Sequence, residues 1–158
     1  MPDKTTGPVR MVIPMLVCSD AAAEIAFCKA AFGAVELSRR SAEHGTVVHA
    51  TLAIAESLIF IHDESPHLAS RAPQPDGSSS VVIYIYLEGV DAAIERAVAA
   101  GARVLLTAAD AFWGDRVGRI VDPAGHVWNV ATRAAAIPPA YPAPGPMGRE
   151  EQPNPPPG

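Results

Sequence analysis

The feature that most constrains this chain is an internal repeat at an offset of 68 or 69 residues. The apolar run Met11 to Cys18 leads into Ser19-Asp20, a helix-capping signal, and then into AAAEIAFCKAAFGA. There Ala21, Ile25, Cys28 and Phe32 recur at helical spacing. The run Val81 to Leu87 leads into GVDAAIERAVAAGA, where Val90, Ile94, Ala97 and Gly101 keep that spacing. Both helical stretches stop at Gly-Ala, Gly33-Ala34 and Gly101-Ala102, where glycine can take the left-handed C′ conformation. After each helix the period falls to two. Val35 to Arg39, Thr46 to Ile54 and Leu58 to Asp63 are strands of the first half; Arg103 to Thr107, Arg116 to Asp122 and Val127 to Thr132 are strands of the second. Each half is therefore β-α-β-β-β, an α+β arrangement. Neither half can cover its helix and sheet alone, so the two pack together within one chain or across a dimer.

At 158 residues, 49% hydrophobic and 18% charged, the chain has the size of one domain. A net charge of -5 gives no footprint for a phosphate backbone, which excludes nucleic acid as an expected partner. No apolar run reaches the ~18 residues of a membrane span, so no membrane partner is expected, and the start MPDKTTGPVR lacks a secretion signal. The expectation is a cytoplasmic protein. Cys18 and Cys28 lie in apolar surroundings without metal-type spacing and are read as buried free thiols. Nine of the sixteen prolines follow Arg133, so residues 135–158 are expected to be a disordered, solvated tail, and residues 1–9 to be unstructured as well. The domain is then residues 10–134, with units at about 10–64 and 81–133 joined by a polar linker or mobile loop over 65–80.

The duplicated unit, with AFCKAAFGA in its first helix and WGDRVGRIVDPAGHVWNVAT at its end, resembles the vicinal oxygen chelate superfamily of glyoxalases, bleomycin-resistance proteins and extradiol dioxygenases. Within it, F-W-G-D-R followed by D-P-x-G-H-x-W is similar to the PhnB-like branch. Cys28 departs from the tyrosine usual there. The resemblance implies that the two units curl into a cupped mixed sheet with helices outside, and that enzymatic members hold one divalent metal in the cup. It places the four ligand positions at Ile13, Phe60, Val82 and Asn129. Three of these lack a donor atom and the fourth is a weak neutral ligand, so no metal cofactor is expected. A two-residue slip in register would put His62 where Phe60 stands.

Alternation across each strand then predicts which residues share the cup. They are Ile13, Met15 and Val17; Leu58, Phe60 and His62; Val82, Tyr84 and Tyr86; Val127, Asn129 and Ala131. On the third strand Val47, His49, Thr51 and Ala53 face the cup, and Val48, Ala50, Leu52 and Ile54 face the helix. His49 and His62 are the candidate catalytic residues, as acid and base or as two ligands of an atypical metal site. Trp113 can cover an aromatic ligand, and Arg116 can either grip a ligand anion or pair with Asp115 or Asp122. His126 and Trp128 alternate away from the cup and pack beneath it. The leading expectation is a metal-independent homodimer binding a small planar or aromatic molecule through Met15, His49, Phe60, His62, Tyr84, Tyr86, Trp113, Arg116 and Asn129. The competing expectation is a lyase, isomerase or dioxygenase with one divalent metal ion on His49 and His62.

Overall fold

The computed structural model describes residues 11–74 and 78–133, so the expectations for residues 1–9 and 135–158 lie outside the described residues. The first unit runs β1 (Met15–Cys18), α1 (Ala21–Phe32), β2 (Val35–Ser41), β3 (Val47–Ile54) and β4 (Ser57–Asp63). The second runs β5 (Val82–Tyr86), α2 (Val90–Ala99), β6 (Arg103–Asp110), β7 (Asp115–Val121) and β8 (Val127–Arg133). Each unit builds a four-stranded mixed sheet, in the orders β1-β4-β3-β2 and β5-β8-β7-β6, with its first strand parallel to its last. The two βαβββ modules and the α+β class read from the repeat are therefore those observed. The repeat is also kept in register, since Met15 lies beside Phe60 and Tyr84 lies beside Asn129.

Local chemistry sets the helix ends. Asp20 caps α1 by accepting the Ala23 N–H at 3.0 Å, and Gly33 closes it at φ 67°. Gly89 gives α2 no side-chain cap, and the Val90 N–H instead donates to Thr132 Oγ1 on β8 at 3.0 Å. The helices pack on each other and on the inner faces of both sheets. Ile25, Phe32, Leu52 and Ile61 meet Ile94, Ile120, Trp128 and Val130 in one core, each buried side chain contributing about 1.5 to 3 kcal/mol of apolar transfer.

Contacts between the units lie on this helix side or along strand edges. Phe32 packs against Trp128 with ring centroids 4.9 Å apart, Arg96 Nε donates to the Ala31 carbonyl, and His126 Nε2 donates to the Val17 carbonyl at 3.0 Å. His126 and Trp128 thus pack beneath the sheet, as alternation predicts. Buried at the same joint, Trp128 Nε1 donates to Asp122 Oδ2 at 2.7 Å. Glu24 is buried beside them, its Oε1 receiving the Cys28 thiol and its Oε2 without a partner among the described residues. Burial and the nearby Asp122 charge push its carboxyl well above the usual range. No helix among the described residues is long and apolar enough to cross a membrane.

Within the connection between the units, Pro66–Leu68 form a 3-10 turn, Ser65 bridges Ser70, and buried Ala72 donates its N–H to Glu64 Oε1 at 2.9 Å. One local expectation needs correction. On β3, Val47 is buried and Val48 is exposed, the reverse of the alternation reading. The β2–β3 register shifts between Arg40 and Ser41, and the resulting bulge changes the parity of the first β3 residues.

Candidate functional site

The helices cover one face of each sheet and leave the other open. On the first sheet, adjacent strands place Met15 and Val17 of β1 beside Phe60 and His62 of β4, with His49 and Thr51 following on β3. Continuing the antiparallel register one step past Ala50 and Ile61 sets His49 opposite His62. The His49 ring meets Phe60 edge-on at 4.6 Å, and its Nε2 is 3.3 Å from Thr51 Oγ1. His62 Nδ1 donates to the Asp63 carbonyl at 2.7 Å, which leaves Nε2 as the acceptor nitrogen. The Asp63 carboxylate is already committed, taking the N–H groups of Ala21 and Val47. The two histidines therefore share a face, without a free carboxylate from Asp63.

The second sheet carries a different set. Tyr84 and Tyr86 of β5 stand side by side with centroids 5.2 Å apart, and both are about two-fifths exposed. Their hydroxyls donate to a single oxygen, Asp115 Oδ2, at 2.9 and 2.8 Å, and Trp113 Nε1 donates to it at 3.0 Å. Arg133 lies 3.7 Å from Asp115 Oδ1 and stacks over the Tyr86 ring. Asp115 is buried, which raises its pKa, yet the Tyr86, Tyr84 and Trp113 donors and the Arg133 charge hold it below the ordinary value. Burial and the Asp115 contact push Tyr84 up to about 12, so its phenol stays protonated and donating. An anion thus clamps three aromatic rings into a fixed wall. In the sequence Asp115 stands out only as a possible partner for Arg116, and nothing local signals this role.

Arg116 takes other carboxylate partners than the sequence suggests. It alternates onto the helix side and clamps Asp91 of α2 through Nε and Nη2 at 2.8 and 2.9 Å, with Asp110 at 3.2 Å. The expected partners Asp115 and Asp122 are not the ones it takes. Arg119, three residues on, occupies the open face instead, and its Nε donates to Asn129 Oδ1 at 2.7 Å. The alternation rule applied to β7 would have found it.

The four positions that the resemblance assigns to a metal do not fit one. Ile13 precedes β1, Phe60 pairs with Met15 rather than Ile13, and Val82 pairs with Val127. The Asn129 carbonyl oxygen, their one donor atom, already receives the Arg119 guanidinium, whose charge opposes a cation. Among the described residues no three His, Cys, Asp or Glu side chains gather as a metal site. An open cavity of about 840 Å³ lies at the seam between Met11–Pro14, the β3–β4 turn and β5, and reaches Tyr84 and Tyr86. It is lined mainly by apolar side chains.

Comparison with known proteins agrees with this architecture. The sequence profile of the Glyoxalase/Bleomycin resistance protein/Dioxygenase superfamily matches residues 10–130. The uncharacterized protein Rv0887c of Mycobacterium tuberculosis is 39% identical over 120 residues, covering 74% of this chain and 71% of that one. The structure of the Arabidopsis thaliana gene product At5g48480 superposes with TM-score 0.63 at 26% identity, covering 78% of this chain and 98% of that one. The fosfomycin resistance protein FosX of Listeria monocytogenes, solved with Mn(II) and sulfate, superposes with TM-score 0.61 at 19% identity, covering 80% and 91%.

Proposed function

Because the chain belongs to the glyoxalase/bleomycin resistance protein/dioxygenase superfamily, whose scaffold serves both enzymes and binders, we propose that it is a metal-independent binding protein for a small planar organic molecule. The observation that carries this reading is the aromatic wall of Tyr84, Tyr86 and Trp113 pinned to Asp115, on a face whose metal position is taken by the Arg119–Asn129 contact. Rigid, half-exposed rings with few polar groups suit a flat apolar ligand. Such a protein would act by sequestering its ligand, as in a resistance role.

The open faces also support a homodimer. The units of one chain meet through their helices, so Met15, Val82, Tyr84 and Tyr86 remain exposed, and a second copy would supply the facing wall of each cup. Two buried free thiols fit a reducing compartment, which favours the cytoplasm. The F-W-G-D-R and D-P-x-G-H-x-W segments support placement in the PhnB-like branch.

The experiment is a ligand-detected NMR screen of chelator-treated protein against planar aromatic compounds, repeated on Tyr84→Ala. Binding without metal that weakens in Tyr84→Ala is the expected result. Binding or turnover only after a divalent metal is added would favour the second reading, a lyase, isomerase or dioxygenase on His49 and His62. What favours that reading is His62 itself, since a histidine whose Nδ1 is held by a carbonyl presents Nε2 as metal ligands do.

A further inference from the structure

Among the described residues Arg119 is a cation without a carboxylate partner. It is half-buried on the open face of the second sheet, and its hydrogen bond among them goes to a neutral group, the Asn129 carbonyl oxygen. Among the described residues, Lys29, Arg39, Arg116 and Arg133 each lie within ion-pair distance of a carboxylate, while Arg40, Arg71, Arg96 and Arg103 are exposed to water. Arg119 has neither. Desolvating a guanidinium without a counter-charge is costly, and such a group gains most from an incoming anion.

The surroundings suit that anion. With Nε engaged, the two terminal nitrogens present an end-on fork that matches both oxygens of a carboxylate. Asn129 accepts through its oxygen, so its NH2 stands beside the fork as a further donor. Asp115, the carboxylate that β7 itself brings to this face, sits four residues along the strand, about 13 Å away, and is already held by its own donors. Tyr84 is the neighbour of Asn129 on β5, and its hydroxyl is spent on Asp115, so it offers a ring and no competing polar group. The first sheet has Thr51 beside Phe60 where the second has Arg119 beside Asn129, so only one of the two faces carries a cation there.

We propose that Arg119 and the Asn129 amide form a carboxylate-binding subsite, and that the ligand is an aromatic or planar organic acid whose ring lies against Tyr84. This rests on the binding-protein reading and adds the charge of the ligand to it. The test is isothermal titration of the full chain with benzoate, phenylacetate and indole-3-acetate against their neutral amides, at constant ionic strength. The acids are expected to bind at least about tenfold more tightly than the amides, and Arg119→Met to erase that preference. Asn129→Asp, which places a carboxylate against the guanidinium, should erase it too, while Arg116→Ala, outside the open face, should keep it. Equal binding of acids and amides, or acid binding that survives Arg119→Met, overturns the subsite and leaves the binding-protein reading standing. No binding of acids overturns the subsite as well; if neutral aromatics also fail in the NMR screen, the binding-protein reading falls with it.

Discussion

Tyr84 on β5 donates its hydroxyl to Asp115 on β7 at 2.9 Å, reaching across the whole of the intervening β8. Two strand spacings are about 10 Å, a span that a tyrosine and an aspartate close only when they lean toward each other over a small residue. Ala131 is that residue, lying between Tyr86 and Val117 in the register. The site is therefore a three-strand construction in which a buried anion holds the aromatic wall.

Replacing that anion should release the wall. Asp115→Ala removes the shared acceptor of Tyr84, Tyr86 and Trp113 and is expected to cost about 1 to 2 kcal/mol. Trp113 fluorescence should shift to longer wavelength as the indole loses its partner. Thermal unfolding and emission spectra check both effects, and Asp115→Asn, which keeps one acceptor oxygen, should fall between.

The joint between the units predicts a pH dependence. The Glu24 carboxyl is raised by burial and by Asp122, so the folded state holds its proton more tightly than the unfolded chain does. The stability this contributes is complete below the ordinary carboxylate range and is lost as pH rises through the folded value. Glu24→Gln removes the titration. Its Tm relative to the natural chain should therefore increase with pH over this window, as read by unfolding scans at several pH values.

Gly118 on β7 lies under Ile94 of α2. A Cβ there would stand 2.5 Å from Ile94 Cδ1 and 3.1 Å from the Ala108 backbone nitrogen, so Gly118→Ala requires the Ile94 side chain to turn aside and the β6 backbone to give way. A loss of about 1 to 3 kcal/mol is expected in denaturant unfolding. Adding Ile94→Val should recover part of it by shortening the opposing side chain.

Both thiols should be inert in the folded protein. Burial, with Glu24 nearby, pushes Cys18 and Cys28 far above the ordinary thiol range. Ellman's reagent at pH 8 is expected to label neither until denaturant is added, after which both react.

The elements were legible because period and punctuation agreed along the chain. Gly33 and Asp20 ended α1 where their chemistry required, and the offset of the halves reappeared as the paired registers of Phe60 and Asn129. What was not legible depended on parity or on three strands at once. Arg116 stood out because it followed a tryptophan and a glycine, yet the residue on the open face is Arg119, separated from it by an odd number of positions. Val47 and Val48 exchanged faces at a bulge that leaves no mark in composition. Asp115 gained its role from two tyrosines about thirty residues away.

The proposed cup holds its ligand without a metal. The most direct measurement is the metal content of untagged full-length protein by plasma mass spectrometry, after purification without chelators and again after soaking in Zn, Mn, Ni or Fe and desalting. Far less than one equivalent per chain is expected in both samples, because the Asn129 oxygen is held by Arg119 and His49 and His62 have no third ligand among the described residues. About one equivalent of any of these metals, lost in His62→Ala, would contradict it.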